Sequence, residues 1–163
     1  MIYATTSCQS RCKHCSIWKK PTEHLRLKDI IAIMNNKCIT KHTVVGLEGG
    51  EFILHPEADE ILSWFDVHHP EYTLLSNSLA AEEVISAVRN HRPKHLYLSL
   101  DGNRNTYQNM RGCDGYDKVI KVLKACKESV PVSLMFCLSP WNTFEDMAYV
   151  IDIAKKQGVD VRI

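Results

Sequence analysis

Six runs rich in β-branched and large apolar residues alternate with amphipathic helical patterns along the whole chain. That alternation restricts the fold to a parallel sheet covered by helices. The strand-like runs are 2–6, 43–47, 72–75, 95–100, 130–138 and 159–163. Leu27, Ile30, Ile31 and Met34 recur at i, i+3, i+4 and i+7, which is one face of a helix. The same period returns in Ala58, Ile61, Leu62 and Phe65, in Val84, Ile85 and Val88, in Tyr116, Val119, Ile120, Leu123 and Cys126, and in Met147, Val150, Ile151 and Ala154. Pro56 suits the first turn of the second helix, Thr143 with Asp146 a capping box, and Gly158 a helix stop. The expected fold is α/β, a partial (βα)6 TIM-like open barrel with parallel strands, which periodicity alone does not separate from a doubly wound sheet. Six strands are too few for a closed eight-stranded barrel. Both architectures place their sites at the carboxyl ends of the strands, where the polar residues of this chain collect. One domain is expected over 1–163, its last unit incomplete because the strand at 159–163 has no helix after it.

Composition narrows the function classes. Charged residues are 24% and apolar residues 45% of 163, which excludes a disordered or low-complexity chain. Lys and Arg number 20 against 19 Asp and Glu, so no global field draws nucleic acid or an anionic membrane. Trp18, Trp64 and Trp141 are scattered rather than set out as a stacking platform for bases. No stretch reaches the roughly 18 apolar residues of a membrane span, and the N-terminus lacks the basic and apolar regions of a secretory signal. A cytoplasmic protein with neither nucleic-acid nor membrane partners is expected.

Seven cysteines are present, and Cys8, Cys12 and Cys15 fall in one short loop after the first strand. Close-set thiols in a reducing compartment more often hold a metal than a disulfide. Three thiolates are one short of the usual four around a [4Fe–4S] cube, and an incomplete shell leaves one iron open to a ligand. The alternative is a structural zinc ion with His14 or a distant residue as fourth ligand. Zinc sites usually pair two clusters of ligands, and no second Cys-x2-Cys exists here. Cys126 and Cys137 read as core, Cys38 as dispersed, and Cys113 as a loop residue at the mouth of the site.

Cys8-Gln-Ser-Arg-Cys12-Lys-His-Cys15 after one strand, followed by Gly49-Gly50-Glu51 after the next, resembles the radical S-adenosylmethionine superfamily. Ser76-Asn77, Leu98-Ser-Leu-Asp-Gly102 and Ser139-x2-Asn142 are similar to segments of the branch holding the molybdenum-cofactor cyclases and maturases like that of pyrroloquinoline quinone. The resemblance implies that Cys8, Cys12 and Cys15 hold a [4Fe–4S] cluster whose fourth iron is chelated by S-adenosylmethionine. His14 stands where the motif commonly has an aromatic residue. The resemblance also implies that Gly49, Gly50 and Glu51 meet the methionine ammonium, and that Ser76, Ser99 and Ser139 meet ribose or carboxylate. The implied activity is reductive cleavage of S-adenosylmethionine to a 5′-deoxyadenosyl radical that takes hydrogen from a peptide or small metabolite. The electron would come from a flavodoxin- or ferredoxin-type donor. A glycyl-radical activase and a non-catalytic zinc or iron–sulfur module are the rival readings. Glu48 reads as a strand-end residue, Asp101 equally as a turn cap or a site residue, and Tyr107 and Arg111 as loop residues that either meet substrate or face solvent. His68 and His69 mark a helix end.

Overall fold

The computed structural model describes residues 1–163. Strands β1 (Ile2–Thr5), β2 (Val45–Gly49), β3 (Tyr72–Ser76), β4 (His95–Ser99), β5 (Val132–Met135) and β6 (Asp160–Arg162) form one sheet in the order β1-β2-β3-β4-β5-β6. Every neighbouring pair is parallel. A doubly wound sheet reverses its strand order partway across, whereas here each crossover steps in the same direction. The fold is therefore the open, partial barrel. The helices are α1 (Leu27–Met34), α2 (Ala58–His68), α3 (Ala81–His91), α4 (Arg104–Arg111), α5 (Tyr116–Cys126) and α6 (Phe144–Gln157).

Alternation along the strands divides the sheet into two unlike faces. Ala4, Leu47, Leu74, Leu96, Leu98 and Leu134 point to the helices and are buried. There they meet Ile30, Ile61, Leu62, Phe65, Val84, Val88, Val119, Leu123 and Cys126 in one continuous core. The inner face carries Glu48, Leu75, Tyr97 and Met135, each only partly buried. Their register ties Leu75 to Tyr97 and Ser99 to Met135, so the inner face rises toward the carboxyl ends of the strands in steps of two residues.

Several local expectations change. The apolar run 130–138 supplies only four strand residues, because Pro131 has no N–H to give and the chain turns away after Met135. Cys137 is consequently exposed beyond the strand rather than core, its N–H donating to Asp101 Oδ1 at 3.0 Å. Cys126 is fully buried, as its place on the helix face required. Pro56 lies ahead of the N-cap Glu57 instead of in the first turn. Helix α4 was unforeseen. Asn103 caps it by accepting from the N–H groups of Asn105 and Thr106, and Gly112 ends it at φ 65°. Tyr107 and Arg111, expected in a loop, are buried on its inner side.

A polar strap ties α2 to α3 on the outer surface. His91 Nδ1 lies 2.7 Å from Asp66 Oδ2 and Nε2 lies 3.0 Å from Asp59 Oδ1, while the Tyr72 hydroxyl donates to Asp66 Oδ1 at 2.6 Å. Burial lowers the affinity of His91 for a proton, but the two carboxylates outweigh it and its pKa lies above the usual value. A raised histidine pKa adds stability that is fully present below the unfolded pKa, near about 6.5, and fades as pH rises through the folded one. His91→Gln is therefore expected to lower the melting temperature more at pH 5.5 than at pH 8.5. Equal losses at both pH values would show that the charge contributes nothing.

Candidate active site

The carboxyl-end loops of the barrel surround a cleft of about 240 Å³. The loop carrying Cys8, Cys12 and Cys15 forms one wall and is braced from two sides. From β2, the N–H groups of Gly50 and Glu51 donate to the carbonyls of Thr5 and Ser7, both at 2.7 Å. From α4, the carbonyls of Arg111 and Met110 accept from the N–H groups of Arg11 and Lys13 at 3.0 and 2.8 Å. Trp18, in the short 3-10 turn Ile17–Lys19, adds its indole N–H to the Cys12 carbonyl at 3.2 Å. The two glycines are required by this closeness. A Cβ on Gly49 would lie 2.3 Å from Thr5 O and one on Gly50 2.2 Å from Ser7 O, and Gly49 has φ +150°.

Each of the three sulfurs receives its own N–H donor. Asn77 Nδ2 reaches Cys8 Sγ at 3.5 Å, Arg111 Nη1 reaches Cys12 Sγ at 3.8 Å, and the Ile17 backbone N–H reaches Cys15 Sγ at 3.5 Å. The Asn77 amide is oriented by its own loop, since Oδ1 already accepts the Leu79 N–H at 2.9 Å. Ser10 Oγ stands 3.1 Å from Cys12 Sγ and donates to Arg111 O. Burial pushes the Cys8 thiol up to about 11, while the N–H of Ser10 works the other way. A metal taken up here would therefore displace a proton. No three His, Cys, Asp or Glu side chains close into a compact metal site. A single zinc ion would need its sulfurs roughly 3.8 Å apart. The three cysteines nonetheless line one and the same cleft.

The anticipated binding residues divide into two sets. His14, Gly49, Gly50 and Ser99 line the cleft with the cysteines. The His14 imidazole is held below its usual pKa by burial and by the nearby Arg111. Glu51 does not line the cleft: it is 2% exposed, and Oε2 accepts the Asn77 N–H at 2.7 Å. Burial raises its pKa to about 7, opposed by bonds from the Asn77 N–H and the Ser76 hydroxyl. Its carboxylate thus shapes the loop that aims Asn77 at Cys8. Ser76 is also turned away, its Oγ accepting the Ser78 N–H at 2.9 Å. Ser139 lies outside the cleft in a turn with Asn142, whose Oδ1 accepts the Ser139 N–H at 2.9 Å.

Ser10, Asn77 and Cys137 on the cleft rim were not named as site residues, and Asp101 and Arg111, each held open between a structural and a site role, meet as a buried pair. The Asp101 carboxylate is fully buried. Its Oδ2 accepts Arg111 Nε at 2.6 Å and lies 2.6 Å from Nη2. Only the spacing of Asn103, Tyr107, Met110, Arg111 and Gly112 carried this information: a cap, one helical face and a stop.

A parallel partial barrel with a three-cysteine loop at its carboxyl end defines the class of protein. Residues 2–154 match the radical SAM superfamily, a superfamily of enzymes, and the chain belongs to it. No curated protein matches the sequence. Among solved structures, Streptococcus suis SuiB bound to the precursor peptide SuiA is 17% identical with a TM-score of 0.79, covering 98% of this chain and 37% of that one. Methylornithine synthase (PylB) is 15% identical with a TM-score of 0.74, over 99% of this chain and 51% of its own. Native anSMEcpe with bound AdoMet is 18% identical with a TM-score of 0.71, over 98% and 48%. The chain thus spans about half or less of each of these proteins.

Proposed function

We propose that the chain is the core domain of a radical S-adenosylmethionine enzyme, with Cys8, Cys12 and Cys15 as ligands of a [4Fe–4S] cluster. The observation that carries this reading is the set of three sulfurs on one cleft wall, each with its own N–H donor. Metal-bound thiolates are characteristically supported by such outer donors. When bound, the cluster and S-adenosylmethionine supply a one-electron reduction that breaks a carbon–sulfur bond and yields a 5′-deoxyadenosyl radical.

The chain's own residues bind, orient and exclude water. Gly49 and Gly50 present bare backbone to the cleft, where carbonyl oxygens suit the ammonium of the methionine moiety. Ser99 and His14 offer polar contacts in the same cleft, while Leu75, Met135 and Phe136 provide an apolar lining that keeps water from a radical. Glu51 acts through Asn77. A peptide substrate is favoured by the SuiB likeness, and small-metabolite modification is the alternative. The electron donor is a low-potential flavodoxin or ferredoxin.

Anaerobic reconstitution with iron and sulfide, followed by dithionite and S-adenosylmethionine, is expected to release 5′-deoxyadenosine and methionine in equal amounts. A protein that takes up about four irons yet releases neither product would contradict the activity. One that takes up only zinc would contradict the cluster.

A further inference from the structure

We infer that Arg111 is a positioning residue for redox chemistry at this site: clamped by Asp101, it fixes a positive charge against the Cys12 ligand and raises the reduction potential of the cluster. The inference rests on the cluster reading above and adds to it the device that sets the potential.

Geometry makes the ion pair directional. Arg111 Nε and Nη2 are both engaged by Asp101 Oδ2, leaving Nη1 as the nitrogen that faces Cys12 Sγ at 3.8 Å. The second carboxylate oxygen is taken by the Cys137 N–H at 3.0 Å. The Tyr107 ring sits 5.8 Å from the guanidinium carbon, and the Tyr107 hydroxyl is tied to Asn77 O at 3.4 Å. Arg111 is 7% exposed and Asp101 0%, so the guanidinium has no room to swing toward solvent. The positive end of the pair therefore points at a proposed cluster ligand, and the negative end is anchored against a backbone amide on the far side.

Stability alone explains this arrangement poorly. A buried ion pair is often no better than apolar residues of similar size, because desolvation offsets attraction. The other two sulfurs manage with neutral donors, an amide and a backbone N–H. Cys12 is 6% exposed, so charge beside it is screened little by water or salt. A reduced cluster carries one more negative charge than an oxidised one. Positive charge and N–H donation at a ligand sulfur therefore favour reduction, the step a very low-potential cluster finds hardest.

The test is the midpoint potential of the reconstituted cluster, followed by paramagnetic resonance in a redox titration. Arg111→Gln removes the positive end, and its equilibrium constant for reduction is expected to fall at least tenfold, about 59 mV for one electron. Asp101→Asn leaves Arg111 uncompensated and is expected to move the potential the opposite way. Arg111→Lys keeps the charge and is expected to lie between wild type and Arg111→Gln. Where a single variant does not fold, Arg111→Gln combined with Asp101→Asn removes the pair together and is expected to lower the potential. A loosened loop would move both single variants in one direction, and that result overturns the inference. So does a constant for Arg111→Gln within threefold of wild type, or for the combined variant where that one is used. Loss of iron from Arg111→Lys would also overturn it, making the residue structural. Failure of the wild-type chain to take up iron would instead remove the cluster reading, and this inference with it.

Discussion

Cys12→Ala is expected to leave a folded chain that retains almost no iron after anaerobic reconstitution. Cys12 is the most buried of the three thiols and sits between Ser10, Arg111 and the cleft. Truncation at Cβ removes a ligand from a shell that already lacks one. The surroundings persist, because Trp18 binds the Cys12 carbonyl, and Arg11 and Lys13 bind α4 through their backbone N–H groups, Lys13 also through its side chain to Asn109. The stability loss should be about 1 kcal/mol, the scale of one weakened hydrogen bond. Cys113→Ala is the matched control, since its sulfur lies 3.7 Å from Ser10 Oγ and lines no part of the cleft. Iron analysis and visible absorbance check both variants. Full iron and colour in Cys12→Ala would remove it from the ligand set, and loss of iron in Cys113→Ala would add a fourth thiol.

Gly50→Ala is expected to be strongly destabilising for a one-methyl change. The added Cβ falls 2.2 Å from Ser7 O and 2.8 Å from Thr6 O, both backbone atoms with no rotamer to yield. Relief requires separating β2 from the exit of β1, which breaks the Gly50-to-Thr5 and Glu51-to-Ser7 hydrogen bonds and shifts the loop bearing Cys8. A cost of about 3 kcal/mol follows, at the upper end of overpacking penalties. Gly158→Ala isolates the conformational effect, because its φ is +68° while nothing lies within 4 Å of the new methyl. That change should cost about 1 kcal/mol. Urea unfolding midpoints distinguish the two. Equal losses would mean that the β1 exit yields freely and that the close approach constrains nothing.

The fold was legible because burial and period agree along most of the chain. Ile61, Leu62 and Phe65, or Val84, Ile85 and Val88, face one core at helical spacing, and nothing competes with that pattern. Periodicity alone left a doubly wound sheet beside the expected partial barrel, because no single segment encodes which way a crossover turns; the sequential order β1-β2-β3-β4-β5-β6 bears out the barrel. Helix α4 escaped because its buried face contains Arg111, a residue that periodicity counts as polar; only its pairing with Asp101 makes that burial tolerable. Cys137 was misplaced because an apolar run does not reveal where hydrogen bonding to the next strand stops.

The site divides in the same way. The three cysteines are a local feature, readable from spacing and residue type, while the two glycines were implied by the family resemblance. The resemblance implied that Glu51 meets the methionine ammonium with Gly49 and Gly50, yet a one-residue step along an extended backbone turns a side chain to the other face. It lies among Ser76, Asn77 and Phe52 instead, and reaches the site only through the Asn77 loop. Asn77 and Ser10 are polar residues in loops, and their importance appears only when the sulfurs they approach are seen in space.

The central claim is that three cysteine ligands leave a position open to S-adenosylmethionine. The most direct test is the paramagnetic resonance spectrum of the reconstituted, dithionite-reduced protein, recorded with and without S-adenosylmethionine. A reduced-cluster signal whose g-values and line shape change on adding S-adenosylmethionine is the predicted result. A cluster signal left unaltered at saturating S-adenosylmethionine, or a colourless protein holding stoichiometric zinc, would contradict it.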